Sequence, residues 1–466
     1  MAITAWSRRK EVLATLAGAV ATTAVGAGVA FAHPEAIGGG SNTARGLGRA
    51  SHTVDFAKAL AVGRGGNLLV AGLSSKGPLR MALARYIASG RLDRSFGTGG
   101  RVLGDFGTRN DNWANSLAVQ ADGKVVVAGG MNPRNGLRRF ALARYTTRGR
   151  LDASFGRKGE VLTRFGSARN VSQASAVALQ SDGKLVAVGV WWKTPIDGPT
   201  RFALARYTAR GRLDPSFGRG GKVLTGFGVH SDSEATAVGV QPDGKVVVAG
   251  GDLTDTRGDR GVFALALVRY KTDGKLDPSF GNRGRVVSKF GSLAAHGLVV
   301  QPDGKLVVAG TGSVAPDGDF ALARYSAEGK LDPSFGRGGM VITKGENPSW
   351  VLAIQRDGKL ITAGTLSGIN KRLDPRDFGV ARWLADGSPD PSFGRGGKLL
   401  TDFRAGSTAN AVAVEVNGKI VAAGTVGGTD FAVARYTSRG RLDGSFGSAG
   451  RVRTDFGPVW RTRRGR

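Results

Sequence analysis

Residues 301–336 read Gln301-Pro302-Asp303-Gly304-Lys305-Leu306-Val307-Val308-Ala309-Gly310, then Phe320-Ala321-Leu322-Ala323-Arg324-Tyr325, then Leu331-Asp332-Pro333-Ser334-Phe335-Gly336. An Asp-Gly pair leading into an apolar run is a hairpin signal, and a type I′ turn with positive φ at both central residues is expected there. The three signatures return in the same order seven times. Further turn copies are Asp122-Gly123-Lys124, Asp182-Gly183-Lys184, Asp243-Gly244-Lys245 and Asp357-Gly358-Lys359; Asn417-Gly418-Lys419 is a variant and Gly65-Gly66-Asn67 a worn first copy. The second signature stands at 140–145 and 202–207, with variants at 81–86, 265–270, 378–383 and 431–436. The third includes 213–218 and 276–281, and each copy leads into a short strand.

Each repeat therefore holds four short strands. Strand a is Ala/Val-rich and ends at the Asp-Gly turn, strand b follows the turn, strand c is the Phe-Ala-Leu-Ala-Arg-Tyr run, and strand d follows Ser-Phe-Gly. Four antiparallel strands in a unit of this length, repeated seven times, predict an all-β fold: a seven-bladed β-propeller of four-stranded antiparallel blades. Small residues in strand a suit a crowded axis. Polar residues late in strand d, such as Thr401 and Asp402, are expected at a solvent-facing rim. Ring closure has two readings: residues 452–456 complete blade seven, or residues 53–56 add an N-terminal latching strand.

The spacing separates two faces. The strand-c arginine precedes the Leu-Asp aspartate by eight residues in every copy: Arg85/Asp93, Arg144/Asp152, Arg206/Asp214, Arg269/Asp277, Arg324/Asp332, Arg382/Asp390 and Arg435/Asp443. From that aspartate to the end of strand d is thirteen, as from Asp152 to Phe165. All length variation falls in the b–c and d–a connections, which share one face of an up-and-down blade. Binding residues gather on variable loops carried by a rigid scaffold, so this is the candidate functional face. A charge buried between blades must be paired, and the Arg/Asp pairs are expected to be bridges tying strand c to the c–d turn, with no catalytic part.

Taken together, the Gln-Pro-Asp-Gly-Lys, Phe-Ala-Leu-Ala-Arg-Tyr and Leu-Asp-Pro-Ser-Phe-Gly motifs resemble the delta-60 repeat family of bacterial β-propellers, from about residue 54 to 457. The resemblance implies a propeller in a bacterial, often exported, protein. It supplies no shared activity or catalytic residues.

Composition narrows the chemistry. Among 466 residues there is no cysteine, which excludes disulfides and thiolate chemistry, and 75 glycines suit many tight turns. The four histidines, His33, His52, His230 and His296, are scattered, so no metal site and no cofactor is expected. Lysine and arginine outnumber acidic residues 66 to 36, a net charge of +30 that favours anionic partners where it is not simply spread over a solvated surface.

The first 32 residues read as an export signal of twin-arginine type: Ser7-Arg8-Arg9-Lys10, an uncharged Ala/Gly/Thr-rich stretch from residue 12, and Ala30-Phe31-Ala32 for cleavage. Residues 33–50 are a flexible linker, 51–457 the propeller and 458–466 a basic tail. The expected location is secreted or at the cell envelope, with no transmembrane segment after cleavage.

Among unrepeated residues, Trp113, Trp191, Trp192 and Trp350 fall in or beside variable loops, where aromatics either stack on sugars and anchor partners or cap the core. His230 and Glu234 share one such loop. Asp252, Asp255 and Asp259 lack calcium-loop spacing and read as a solvated loop. No nucleophile elbow or phosphate loop is present. The expected function is a monomeric, non-enzymatic binding scaffold for an anionic or carbohydrate cell-surface polymer or a protein partner, without specific nucleic-acid recognition. An extracellular propeller hydrolase or lyase acting on a polymer is the alternative. Candidate ligand-binding residues are Trp113, Trp191, Trp192, His230 and Trp350; none is assigned as catalytic.

Overall fold

Seven four-stranded sheets are threaded in sequence order, every neighbouring pair antiparallel. The computed structural model describes residues 54–457 apart from 76–78, 105–110, 134–136, 168, 194–198, 229–230, 255–261, 289–291, 314–318, 344–348 and 367–376. Residues 1–53 and 458–466, which include the segments expected to be export signal, linker and basic tail, lie outside the described residues. The protein is a seven-bladed β-propeller. Blade 1 comprises Asp55–Val62, Leu68–Ser74, Arg80–Tyr86 and Arg101–Gly104; blade 7 comprises Ser407–Val414, Ile420–Val426, Asp430–Tyr436 and Arg451–Thr454.

Both ends of the chain thus contribute whole blades. Residues 451–454 complete blade seven, and Asp55–Val62 is the inner strand of blade one, so among the described residues no separate latch strand closes the ring. The closing seam uses the same contacts as the others. Gly447 N donates to Ser89 O at 2.8 Å, as Gly218 N does to Asp273 O at 2.7 Å. The Tyr86 hydroxyl reaches Thr454 Oγ1 at 2.7 Å, as Tyr270 reaches Thr225 at 2.7 Å.

The a–b turn differs from the expected type I′. In blade 2, Gly123 N donates to Gln120 O at 2.9 Å and Gln120 N to Lys124 O at 2.8 Å. Only Gly123, at φ 80°, takes positive φ; Asp122 does not. This is a turn closed by a left-handed glycine, in which the aspartate carboxylate accepts Lys124 N–H at 3.0 Å.

The Arg/Asp bridges form in all seven blades, with Nε–Oδ2 distances of 2.7–2.9 Å. Each arginine does more than the spacing suggests. Arg206 binds Asp214, donates to Ser216 Oγ at 2.9 Å, and sits 4.5 Å from the Phe217 ring. It then crosses the seam to Thr272 O of blade 4. The lysine of the a–b turn reaches the same aspartate in several blades, as Lys124 does Asp152 at 3.1 Å. Across each seam the Ser-Phe-Gly phenylalanine, fully buried, meets the neighbour's c–d turn: a Cβ on Gly211, at φ 76°, would stand 2.8 Å from the Phe155 ring. Burying each such ring contributes about 2–3 kcal/mol.

Strand d ends earlier than the spacing suggested, at Thr163 in blade 2; Phe165, two residues on, turns inward to meet Phe140 edge-on at 5.3 Å. Thr401, expected at a wet rim, is buried, its hydroxyl 2.5 Å from that of Tyr436 in the next blade; Asp402 is exposed.

Candidate functional site

The up-and-down order sends the start of strand a, the end of strand b and the start of strand c to one face, that of the variable loops. Trp113 lies near the start of strand a of blade 2, Asp111–Val119, and its ring covers the paired Gly130, where a Cβ would be 2.3 Å from Trp113 Cζ2. Trp191 and Trp192 end strand b of blade 3, Leu185–Trp192. The Arg138 guanidinium lies 5.1 Å from the Trp113 ring and 5.8 Å from the Trp192 ring, and donates to Gln173 Oε1 at 3.0 Å. One cation thus joins two indoles that are 79 residues apart in sequence (192 − 113). Trp191 donates from Nε1 to Phe165 O at 2.9 Å, packs on the core between blades 2 and 3, and lies 5.8 Å from the Arg201 guanidinium. Trp113 is buried, whereas Trp191 and Trp192 are half-buried. Trp350 lies in the strand Ser349–Ile354, and its side chain is outside the described part. His230 is outside the described residues, as are Asp255 and Asp259.

A second feature carries no repeat signature. Every inner strand has a β-bulge at the same level, where the strand register skips one residue per blade: Lys58, Asn115, Ser175, Thr236, His296, Trp350 and Asn410. Bulges re-aim side chains and recur beside functional sites. Several of these residues stitch the ring from within: Asn115 Nδ2 donates to Ala174 O at 2.8 Å, Thr236 Oγ1 to Ala295 O at 2.6 Å, and Asn410 Nδ2 to Ala57 O at 2.9 Å. Lys58 Nζ donates to Asn115 Oδ1 at 3.0 Å.

The charges near this ring are displaced from their ordinary state. Burial pushes the Glu234 carboxyl up to about 7, against a hydrogen bond from Ser175 and the attraction of Arg138. Burial, followed by repulsion from Arg138, lowers Lys58 to about 8. Burial lowers His296 to about 4. Burial raises Asp252 to about 6, and the nearby Asp232 adds to the rise against a hydrogen bond from Ser231. Blades 1 to 4 therefore bring indole rings, the Arg138 guanidinium and the Lys58 ammonium into the same part of the ring as two carboxyls, Glu234 and Asp252, that burial raises towards neutrality. Arg138 and Glu234 were not singled out as partners by the sequence, because the loop lengths between blades hide their approach. Among the described residues no cluster of His, Asp or Glu has a metal-holding arrangement.

Comparison with known proteins bears on both the repeats and the fold. The family described as a domain of unknown function, DUF5122 β-propeller, matches at residues 66–96, 120–155, 180–217, 241–280, 301–335, 355–393 and 417–446, more than half of the chain. The chain belongs to the DUF5122 β-propeller family. Each matched segment runs from near the a–b turn to the Ser-Phe of one blade, so the matched unit holds strands b and c and stops short of strand d, the variable d–a connection and strand a. No curated protein matches this DUF5122 propeller. Among solved structures, the polysaccharide lyase Uly1 is similar at 12% identity and TM-score 0.50, covering 89% of this chain and 97% of that one. The BP39L lectin from Burkholderia pseudomallei is similar at 14% identity and TM-score 0.46, covering 83% and 96%. The α-L-arabinanase of Penicillium chrysogenum, complexed with arabinobiose, is similar at 11% identity and TM-score 0.41, covering 72% and 94%. At these identities the likeness concerns the fold alone. No helix among the described residues is long and apolar enough to cross a membrane.

Proposed function

We propose that this DUF5122 propeller, built of repeats of delta-60 type, is an exported binding scaffold that holds an acidic carbohydrate polymer of the cell surface on its variable-loop face. The observation that carries this reading is Arg138, set between Trp113 and Trp192 and hydrogen-bonded to Gln173. Indole faces stack on sugar rings, and a guanidinium recognises carboxylate or sulfate as a two-pronged donor. The net charge of +30 of the chain favours an acidic polymer over a neutral one. The Ser7-Arg8-Arg9-Lys10 segment and Ala30-Phe31-Ala32 support export, with residues 33–50 as linker and 458–466 as tail.

One observation favours a polymer-cleaving activity as the second reading. Glu234, with its carboxyl near 7, is suited to general acid or base work beside a cation that would neutralise a sugar carboxylate.

The test is a binding screen of the full chain against acidic and neutral polysaccharides and DNA, repeated with Trp192→Ala and Arg138→Gln, with product release followed in parallel. Binding to an acidic polysaccharide that both variants weaken supports the scaffold. Turnover abolished by Glu234→Gln supports the second reading. Equal binding of every polyanion by all variants contradicts both.

A further inference from the structure

The first residue of strand d reaches back across several seams to the corner of the preceding blade. Arg101 Nη1 donates to Asp455 O at 2.6 Å, Arg451 Nη1 to Asp402 O at 2.6 Å, and Lys222 Nζ to Arg164 O at 3.1 Å. The acceptor in each case stands one residue before the inward-turned phenylalanine: Phe456, Phe403 and Phe165. At the seam between blades 3 and 4 the corresponding pair is Arg285 and Gly226, before Phe227. Here the contact is not made. The Arg285 guanidinium makes no hydrogen bond to any described residue; its Nε is buried without an acceptor, as is that of Arg101, but Arg101 is held through Nη1. Instead, an open groove of about 400 Å3 lies between Arg201, Gly226, Phe227, Gly228 and Arg285. Among the described residues, none that lines it is acidic and neither arginine belongs to an ion pair.

Two guanidinium groups facing one groove repel each other, and the covered part of Arg285 has lost water without gaining a protein acceptor. An oxyanion would satisfy both: guanidinium forks match sulfate and carboxylate geometry. The groove is too large for a lone oxyanion. Phe227, held edge-on against Phe202 at 5.1 Å, gives it an apolar wall of the kind a sugar ring lies against.

We propose that this groove is a second binding site, taking the sulfate or carboxylate group of an acidic sugar between Arg201 and Arg285. It lies at a different seam from the Arg138 cluster and does not depend on that cluster's role. Gly226 is what opens it. Its φ is not in the left-handed region, and an added Cβ would meet nothing nearer than the Arg201 side chain at 3.8 Å, so Gly226→Asp should fold while placing a carboxylate among the arginines.

The experiment is calorimetric titration of the full chain with sodium sulfate, glucuronate and glucose, for the wild type, Gly226→Asp and Arg285→Gln, with circular dichroism as the folding check. The expected result is saturable binding of glucuronate or sulfate, no binding of glucose, and a loss of about ten-fold or more in affinity in each folded variant. Tighter binding of glucuronate than of sulfate assigns the site to an acidic sugar; the reverse assigns it to a free inorganic anion and overturns the sugar part of the proposal. Absence of saturable binding, or unchanged affinity in Gly226→Asp, overturns the site itself. Should Arg285→Gln not fold, Gly226→Asp alone decides.

Discussion

At the scale of single residues, the strand-c arginines and the half-buried Glu234 show two fates of a charge drawn out of water. Arg206 has a carboxylate, a hydroxyl, a carbonyl and a ring around one guanidinium. Burial works against the charge of Asp214, but hydrogen bonds from Ser216 and the Arg206 cation outweigh it and hold the carboxyl below its usual range. Arg206→Met leaves that buried carboxylate with only the half-exposed Lys184 ammonium at 3.4 Å, at an expected cost of about 3 kcal/mol in urea unfolding. Glu234 has the opposite balance. Its folded pKa, about 7, lies above its ordinary 4.5, so the native state binds more protons than the unfolded one between those values. Stability therefore falls as pH rises through that window. Glu234→Gln should leave stability unchanged at pH 4 and raise it at pH 8, by on the order of 3 kcal/mol. An equal effect of the variant at both pH values would contradict the burial of this carboxyl. The arginine bridges were readable because eight residues separate the partners in every copy. Glu234 was visible only as an acid sharing a variable loop with His230, since what raises its pKa is set by blade-to-blade approach.

At the scale of elements, the seam is the repeating unit of stability. Tyr207, Tyr270, Tyr325 and Tyr436 each reach a Thr or Ser hydroxyl on strand d of the preceding blade, and Tyr86 does the same across the closing seam. Tyr145 departs from the pattern. Blade 1 has Gly104 at that place, a Cβ there would lie 2.3 Å from the Tyr145 hydroxyl, and the hydroxyl turns to Met81 Sδ at 3.7 Å. Tyr86→Phe and Tyr270→Phe should each cost about 1 kcal/mol in thermal or urea unfolding, and by similar amounts. A much larger loss for Tyr86→Phe would mean that the closing seam is weaker than the rest. The four strands and their order followed from motif spacing, because hairpin turns and strand lengths repeat. The turn type, the early end of strand d and the bulge ring did not. The bulge residues differ from blade to blade where the sequence around them repeats, so nothing periodic marks them, and only pairing in three dimensions exposes the extra residue.

At the scale of the whole molecule, seven depressed aspartates act together: Asp93, Asp152, Asp214, Asp277, Asp332, Asp390 and Asp443. Between their folded and ordinary values the unfolded chain binds more protons, so their stabilisation is present above pH 4 and lost as pH falls below it. Circular dichroism melting should show a steep fall in Tm from about pH 4 to pH 2; a flat profile would contradict the role given to the bridges. The net charge of +30 sets the opposite problem for function, since any polyanion is attracted at low salt. A localised site differs from that diffuse attraction in how it responds to screening. The most direct measurement is therefore the affinity of the full chain for an acidic polysaccharide at low salt and at about 0.5 M, for the wild type and Trp192→Ala. The account predicts wild-type binding that persists at high salt and is lost in Trp192→Ala. Binding that vanishes at high salt and is identical in the two proteins would contradict it.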